Sequence, residues 1–144
     1  MKVLLINPPV RQQVAPGDIP FGLGIIAAIA EQEGHQVAFL DLNAHRVSLQ
    51  EAAEEIAIDD YDVIGIGGLS SMFKDIKKIL PVCRQIHPDA LIVAGGGFVT
   101  YMPDTMMKLQ PEIDIVVIGE GEETWKEILQ KRKSVDFSEV KGIT

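Results

Sequence analysis

Three glycine-rich segments carry most of the chemistry this 144-residue sequence can offer: Gly65-Ile66-Gly67-Gly68-Leu69-Ser70-Ser71, Gly95-Gly96-Gly97-Phe98 and Gly119-Glu120-Gly121-Glu122-Glu123-Thr124. Each follows a short β-branched run. Glycine lets a backbone approach a bound molecule closely, and the serines can cap a following helix or bond to that molecule. One glycine after the fourth run could be a turn requirement. Three in succession predict room cleared for a ligand, because glycine costs about 0.5–1 kcal/mol in ordered structure. In the third segment a helix N-terminus accounts for Glu122 and Glu123 through the dipole. Glu120, between two glycines, is the better candidate for a ligand contact. A fourth segment, Asn7 to Phe21, holds Pro8, Pro9, Pro16 and Pro20. A loop this long in a compact domain is often functional, the alternative being a disordered surface loop.

The same residues exclude several chemistries. Phosphate loops point backbone N–H groups at oxygen, and Pro8 and Pro9 have none, so flavin mononucleotide or a Walker-type nucleotide is poorly served. Gly22-Leu23-Gly24-Ile25-Ile26-Ala27, with Asp41 beyond it, imitates a dinucleotide fingerprint. That motif requires its first glycine to end a strand; here the proline-rich loop intervenes, and the glycines read as close packing of helix on sheet. His35 and His87 fall at helix-to-strand connections as exposed turn residues, and His45 falls on the loop after the second strand. No second histidine or cysteine lies near enough for a metal site, and no Ser-His-Asp or Cys-His pattern is present. Cys83 is the only cysteine, which excludes an internal disulfide or an iron–sulfur cluster held by this chain alone.

The elements that must position these loops alternate strand with helix, the sign of a parallel sheet covered on both faces. Strands are expected at Lys2–Ile6, Gln36–Leu42, Val63–Ile66, Leu91–Ala94 and Ile115–Ile118, nearly continuous in apolar character. The first helix spans about Gly22 to Glu33, with Ile25, Ile26 and Ile29 apolar and Gly34 placed for a left-handed cap. Ser48 and Glu51 form a capping box ahead of an apolar stripe of Leu49, Ala52, Ala53 and Ile56. A third helix, about Met72 to Ile86, contains Pro81, which should kink or divide it. A short fourth helix lies near Pro103–Leu109. The fifth, Glu122–Lys133, buries Trp125, Ile128 and Leu129 and pairs Glu127 with Lys131. The expected fold is α/β: a flavodoxin-like (Rossmann-like), doubly wound, five-stranded parallel sheet of order 2-1-3-4-5, with a ligand crevice between strands 1 and 3. Residues 1–133 make the domain. The tail 134–144 has no partner in this scheme and reads as leading toward a further domain.

Composition agrees with an ordinary globular chain: 47% hydrophobic, 24% charged, net charge −8. The acidic balance and scattered basic residues argue against nucleic acid or an anionic membrane as partner. No run is long enough to span a bilayer and no signal peptide is evident, so a cytoplasmic protein is expected.

Six segments in order resemble the N-terminal cobalamin-binding domain of radical S-adenosylmethionine enzymes, the group of the anaerobic magnesium-protoporphyrin monomethyl ester oxidative cyclases and related methyltransferases. They are Ile6-Asn7-Pro8-Pro9, Pro20-Phe21-Gly22-Leu23-Gly24, Glu33-Gly34-His35-Gln36-Val37, Asp62-Val63-Ile64-Gly65-Ile66, Val93-Ala94-Gly95-Gly96 and Asp114-Ile115-Val116-Val117-Ile118-Gly119-Glu120-Gly121-Glu122. None is specific alone; their ordered sum is. The resemblance implies base-off cobalamin, its corrin over the strand ends and its nucleotide tail in the crevice. The implied cofactor-binding residues are Asn7, Pro8 and Pro9; Gly67, Gly68, Leu69 and Ser70; Gly95, Gly96 and Gly97; and Gly119, Glu120 and Gly121. The D-x-H-x-x-G motif of methionine-synthase-like domains is replaced by Asn7-Pro8-Pro9, so no protein histidine should ligate cobalt. The resemblance also implies a C-terminal radical S-adenosylmethionine domain as partner in the parent chain. That domain would hold a 4Fe-4S cluster and S-adenosylmethionine, so this chain alone should not catalyse the parent's methyl transfer or tetrapyrrole remodelling. The alternative is a flavodoxin-like interaction or regulatory module without cofactor. A receiver domain is a poor version of it, because the acidic cluster and phosphorylatable aspartate are missing.

Overall fold

The computed structural model describes residues 1–10, 16–17, 19–134 and 136–144. Part of the long loop, residues 11–15 and 18, therefore lies outside the described residues, as does position 135 of the tail. In chain order the elements are β1 (Lys2–Asn7), α1 (Phe21–Gln32), β2 (Gln36–Asp41), α2 (Leu42–His45), α3 (Leu49–Ile56), β3 (Val63–Gly67), α4 (Phe73–Ile86, entered through a 3-10 turn at Ser70–Met72), β4 (Leu91–Gly95), α5 (Gly97–Thr100), α6 (Pro103–Leu109), β5 (Ile115–Val116) and α7 (Glu122–Lys131). The five strands form one sheet in the order β2-β1-β3-β4-β5, every pair parallel. This is the expected doubly wound topology.

The apolar strands are divided by the two-residue period of a sheet. Leu4, Ile6, Ile64, Ile66, Ile92 and Ala94 pack on one face with Ile56, Ile76 and Leu80 from α3 and α4. Val3, Leu5, Val63, Val93 and Val117 pack on the other with Ala30 of α1 and Trp125, Ile128 and Leu129 of α7. Leu4, Leu5 and Ile6 are at most 2% exposed, so β1 is sealed on both sides. Each such side chain contributes about 1.5–3 kcal/mol relative to exposure, which is why the central strands read as unbroken apolar runs.

Local signals mostly gave the expected elements. The Ser48–Glu51 capping box forms in both directions, Ser48 Oγ accepting from the Glu51 N–H and a Glu51 carboxylate oxygen accepting from the Ser48 N–H. Gly34 follows α1 with φ +81°.

Six expectations are corrected. Pro81 does not divide α4, which runs unbroken because the proline sits on its exposed side. Leu49 and Ile25 lie outside the apolar stripes at 44% and 47% exposure. His87 is buried, not an exposed turn residue: its Nε2 lies 2.9 Å from the Ile56 carbonyl oxygen and Tyr61 stacks edge-on against its ring. Lys131 pairs with Glu139 at 2.9 Å rather than with Glu127. The fifth strand stops at Val116 instead of reaching Ile118. Finally, the tail is partnered: Val116 and Thr144 exchange N–H···O bonds of 2.8 and 3.0 Å, and Ile118 N–H donates to the Gly142 carbonyl. Val117 and Ile143 form an antiparallel bridge, and Val140 is buried. The last residues thus cover the β5 edge, which would otherwise offer unpaired backbone groups.

Candidate functional site

Parallel strands that all end on one side leave their following loops together, and there the molecule has a cavity of about 490 Å³. This lies within the ~300–1,000 Å³ range of small-molecule sites. The cavity continues as a slot between the sheet and the α1–α7 layer. Leu5, Gly65, Val93 and Val117 form its sheet side; Leu23 and Ile26 of α1 and Trp125 of α7 form the opposite side. Trp125 is fixed by donating its indole N–H to the Ile26 carbonyl at 3.1 Å. Its ring comes near enough because Gly65 interrupts β3: a Cβ there would lie 2.6 Å from Leu5 Cδ2 and 3.5 Å from the Trp125 ring. A glycine inside a strand marks such an approach.

Of the residues expected at the site, Asn7, Gly67, Gly68, Leu69, Gly95, Gly96, Gly97, Gly119, Glu120 and Gly121 line the cavity. Pro8, Pro9 and Ser70 do not. The two prolines carry the chain from β1 toward Val10, and the Ser70 hydroxyl is turned to the Gly97 carbonyl at 3.4 Å. Neither serine of this segment caps the 3-10 turn or α4. The site is also broader than a crevice between β1 and β3, since β4 and the segment after β5 contribute to it.

The glycines differ in role. Gly95 and Gly97 leave room, a Cβ at either meeting nothing nearer than 3.9 and 3.8 Å. Gly96 does not clear space for a ligand. Its φ is +87°, and a Cβ would fall 2.8 Å from the Gly68 carbonyl oxygen, the same oxygen that accepts the Phe98 N–H at 3.2 Å. Gly96 is therefore the turn that lets the β3 and β4 loops touch. Gly68 is limited from below by Met72 Sδ at 3.1 Å and Ile76 Cδ1 at 3.3 Å. Gly22 and Gly24 are not packing contacts of α1, because a Cβ at either meets nothing within 4 Å. The helix instead approaches the sheet through Leu23 and Ile26. Asp41, which follows that imitation of a dinucleotide fingerprint, has its Oδ1 accepting from Asn7 Nδ2 at 2.8 Å and from the N–H groups of Asn43 and Ala44.

Sequence reasoning missed Val10, Asn43, Leu23, Ile26, Val93, Val117 and Trp125 as lining residues. Leu23, Ile26, Val93, Val117 and Trp125 matched ordinary core positions, and Val10 and Asn43 fell after β1 and β2 with no motif to mark them; only the tertiary structure gathers them on one wall. Gly65 was the one available signal.

The charged groups on the wall are Glu120 and Glu122; among the described residues no lysine or arginine lines the cavity. Such a wall repels a polyphosphate and suits an apolar or cationic group. His45 is exposed and outside the lining. Cys83 is buried in the core, which pushes its thiol up to about 12 and leaves it inert as a nucleophile. Among the described residues no helix is long and apolar enough to cross a membrane.

Comparison with known proteins agrees with this geometry. The family model for the B12 binding domain matches residues 13–129. An uncharacterized methyltransferase of Pyrococcus horikoshii is 33% identical over 147 residues, covering 99% of this chain and 31% of that protein. The anaerobic magnesium-protoporphyrin IX monomethyl ester cyclase of Synechocystis is 28% identical over 150 residues, covering 99% of this chain and 30% of that protein. The structure of the radical S-adenosylmethionine methyltransferase TsrM from Kitasatospora setae, with cobalamin and a [4Fe-4S] cluster bound, superposes with a TM-score of 0.84 at 25% identity. It covers 99% of this chain and 28% of that one. The chain thus spans about a third of the length of these relatives.

Proposed function

Because this chain belongs to the B12-binding domain family, we propose that its cavity receives the nucleotide tail of a base-off cobalamin while the corrin lies across the open rim. The observation that carries this reading is the slot itself: apolar, lined by Leu5, Ile26, Val93, Val117 and Trp125, and opening between the glycine loops. A cavity of about 490 Å³ is too small for a whole cobalamin but suits an aromatic base entering edge-first. Gly95 and Gly97 leave the backbone bare where the tail would pass. Leu69 on the lining is 58% exposed, and Ile19 and Phe21, next in sequence to the lining residues Pro20 and Gly22, are 72% and 73% exposed, apolar surface that a corrin would cover. The wall has no lysine or arginine among the described residues, which suits a cofactor whose single phosphate is offset by its cobalt charge.

Cobalamin supplies a cobalt centre able to carry an alkyl group; the chain's residues supply position and exclusion of water. Gly67, Gly68 and Leu69, with Gly119, Glu120 and Gly121, would hold the tail from either side, and Asn7, at the end of β1, would face the bound cofactor. The loop from Asn7 to Phe21 contains no histidine, and His45 is outside the lining, so cobalt would lack a histidine from this chain. Relatives about three times as long support a parent enzyme in which a C-terminal radical S-adenosylmethionine domain completes the site from above.

The test uses Trp125, the chain's single tryptophan. Cobalamin absorbs where tryptophan emits, so titration with hydroxocobalamin is expected to quench that emission saturably. At a hundredfold excess over Kd the folded state gains about 2.7 kcal/mol, read as a higher Tm. Unchanged emission and Tm at millimolar hydroxocobalamin would overturn the proposal and favour an interaction module.

A further inference from the structure

Two buried amides stand on the cavity wall beside the slot, and the groups behind them set which way each one faces. Asn7 and Asn43 are 5% and 4% exposed, and both line the cavity. Asn7 Nδ2 donates to Asp41 Oδ1 at 2.8 Å. That oxygen also accepts from the N–H groups of Asn43 and Ala44, so it is committed as an acceptor and can face only the NH₂ end of Asn7. Asn43 is turned the other way, its Oδ1 accepting the Val10 N–H at 3.0 Å, a contact only its carbonyl end can make. Asn7 therefore has its Oδ1 left over and Asn43 its Nδ2. Among the described residues neither atom has a hydrogen-bond partner, and no side-chain nitrogen or oxygen sealed from solvent lacks one. Both atoms accordingly keep contact with solvent-accessible space, on residues that line the cavity.

We infer that Asn7 and Asn43 form a subsite for a primary carboxamide of the bound ligand, Asn7 Oδ1 accepting from its NH₂ and Asn43 Nδ2 donating to its carbonyl. An acceptor beside a donor is the complement of an amide. A carboxylate or phosphate leaves Asn7 facing another acceptor, and an ammonium leaves Asn43 facing another donor; a buried polar group so left loses the full value of its bond. Asp41 is the positioning residue: it touches no ligand but decides which atom Asn7 presents. The inference rests on the cobalamin reading, since the rim of a corrin carries several primary carboxamides, and it assigns one of them to these two side chains.

The experiment changes the ligand before the protein. The 144-residue chain is titrated, by Trp125 quenching, with cobalamin and with each separated monocarboxylic acid of cobalamin in which one peripheral carboxamide is hydrolysed. One isomer is expected to bind about 10- to 100-fold more weakly and the rest within about threefold of cobalamin. In Asn7→Ala, which removes the acceptor that a carboxylate would oppose, that penalty is expected to shrink below about threefold. Asn7→Ala leaves Asp41 its two backbone donors, and the isomer series on the parent chain is a check that needs no variant. Equal binding of every isomer to the parent chain, as when water fills the subsite, overturns the inference while leaving the cobalamin reading intact. So does a penalty that persists in a folded variant. No binding of cobalamin itself overturns the reading beneath it.

Discussion

Replacing Gly96 by alanine should destabilise this domain in the absence of any ligand. The residue sits at φ +87° and ψ −175°, a region essentially confined to glycine, where an L side chain costs about 1–3 kcal/mol. The added Cβ would lie 2.8 Å from the Gly68 carbonyl oxygen and 3.1 Å from the Gly68 nitrogen. Those obstacles are backbone, held by the Phe98 N–H bond to the same oxygen, so they cannot swing aside as a side chain would. Forcing atoms into a packed contact costs about 1–3 kcal/mol more. The sum, about 2–6 kcal/mol, corresponds to a fall in Tm of roughly 10 °C for a chain of this length. Gly95→Ala is the control one residue away: its Cβ meets Val117 at 3.9 Å, an ordinary contact, and a change of less than about 0.5 kcal/mol is expected. Thermal unfolding followed by circular dichroism, without ligand, separates the two. If Gly96→Ala melts within about 2 °C of the parent, the Gly96–Gly68 approach does not hold the β3 and β4 loops together, and the reasoning fails.

Three other outcomes are expected. Electron paramagnetic resonance of Co(II) cobalamin bound to the chain should lack the three-line splitting of an axial nitrogen; a triplet lost in His45→Ala would identify that residue as the ligand. Stability should fall in acid in two stages. Burial, with the nearby N-terminal charge, holds the His35 imidazole below its ordinary 6.5, so stability present above that value is lost as pH drops through it toward the folded value. Hydrogen bonds from Ser48 hold Glu51 below 4.5, and those from Gln130 and Lys126 do the same for Glu33, so their contribution disappears as pH falls from about 4.5 through the lower folded values. In Glu51→Gln, which keeps an acceptor for the cap but does not titrate, the second stage should be shallower in a Tm-against-pH series; an identical profile would count against the assignment.

The elements and their order were legible because their causes are local. A β-branched run sealed on both faces, a serine three residues before a glutamate, and a glycine after a helix act through neighbours in the chain, so Lys2–Asn7, the Ser48 cap and Gly34 could be read directly. Right-handed crossovers then left one strand order of few. That the glycine loops lie together around one cavity was legible for the same reason: strands that run parallel must deliver them to one edge. What each glycine does there was decided by residues far off in sequence. Gly95 faces space, Gly96 faces the Gly68 backbone, and Gly65 makes way for Trp125, while Gly22 and Gly24 touch nothing. Only tertiary structure brought the tail against Val116 and Ile118, buried His87 under Tyr61, and made Asp41 the acceptor that orients Asn7. Periodicity tells a chain which residues leave water. Which of two buried groups meets the other depends on how layers stack, and no spacing within one segment carries that information.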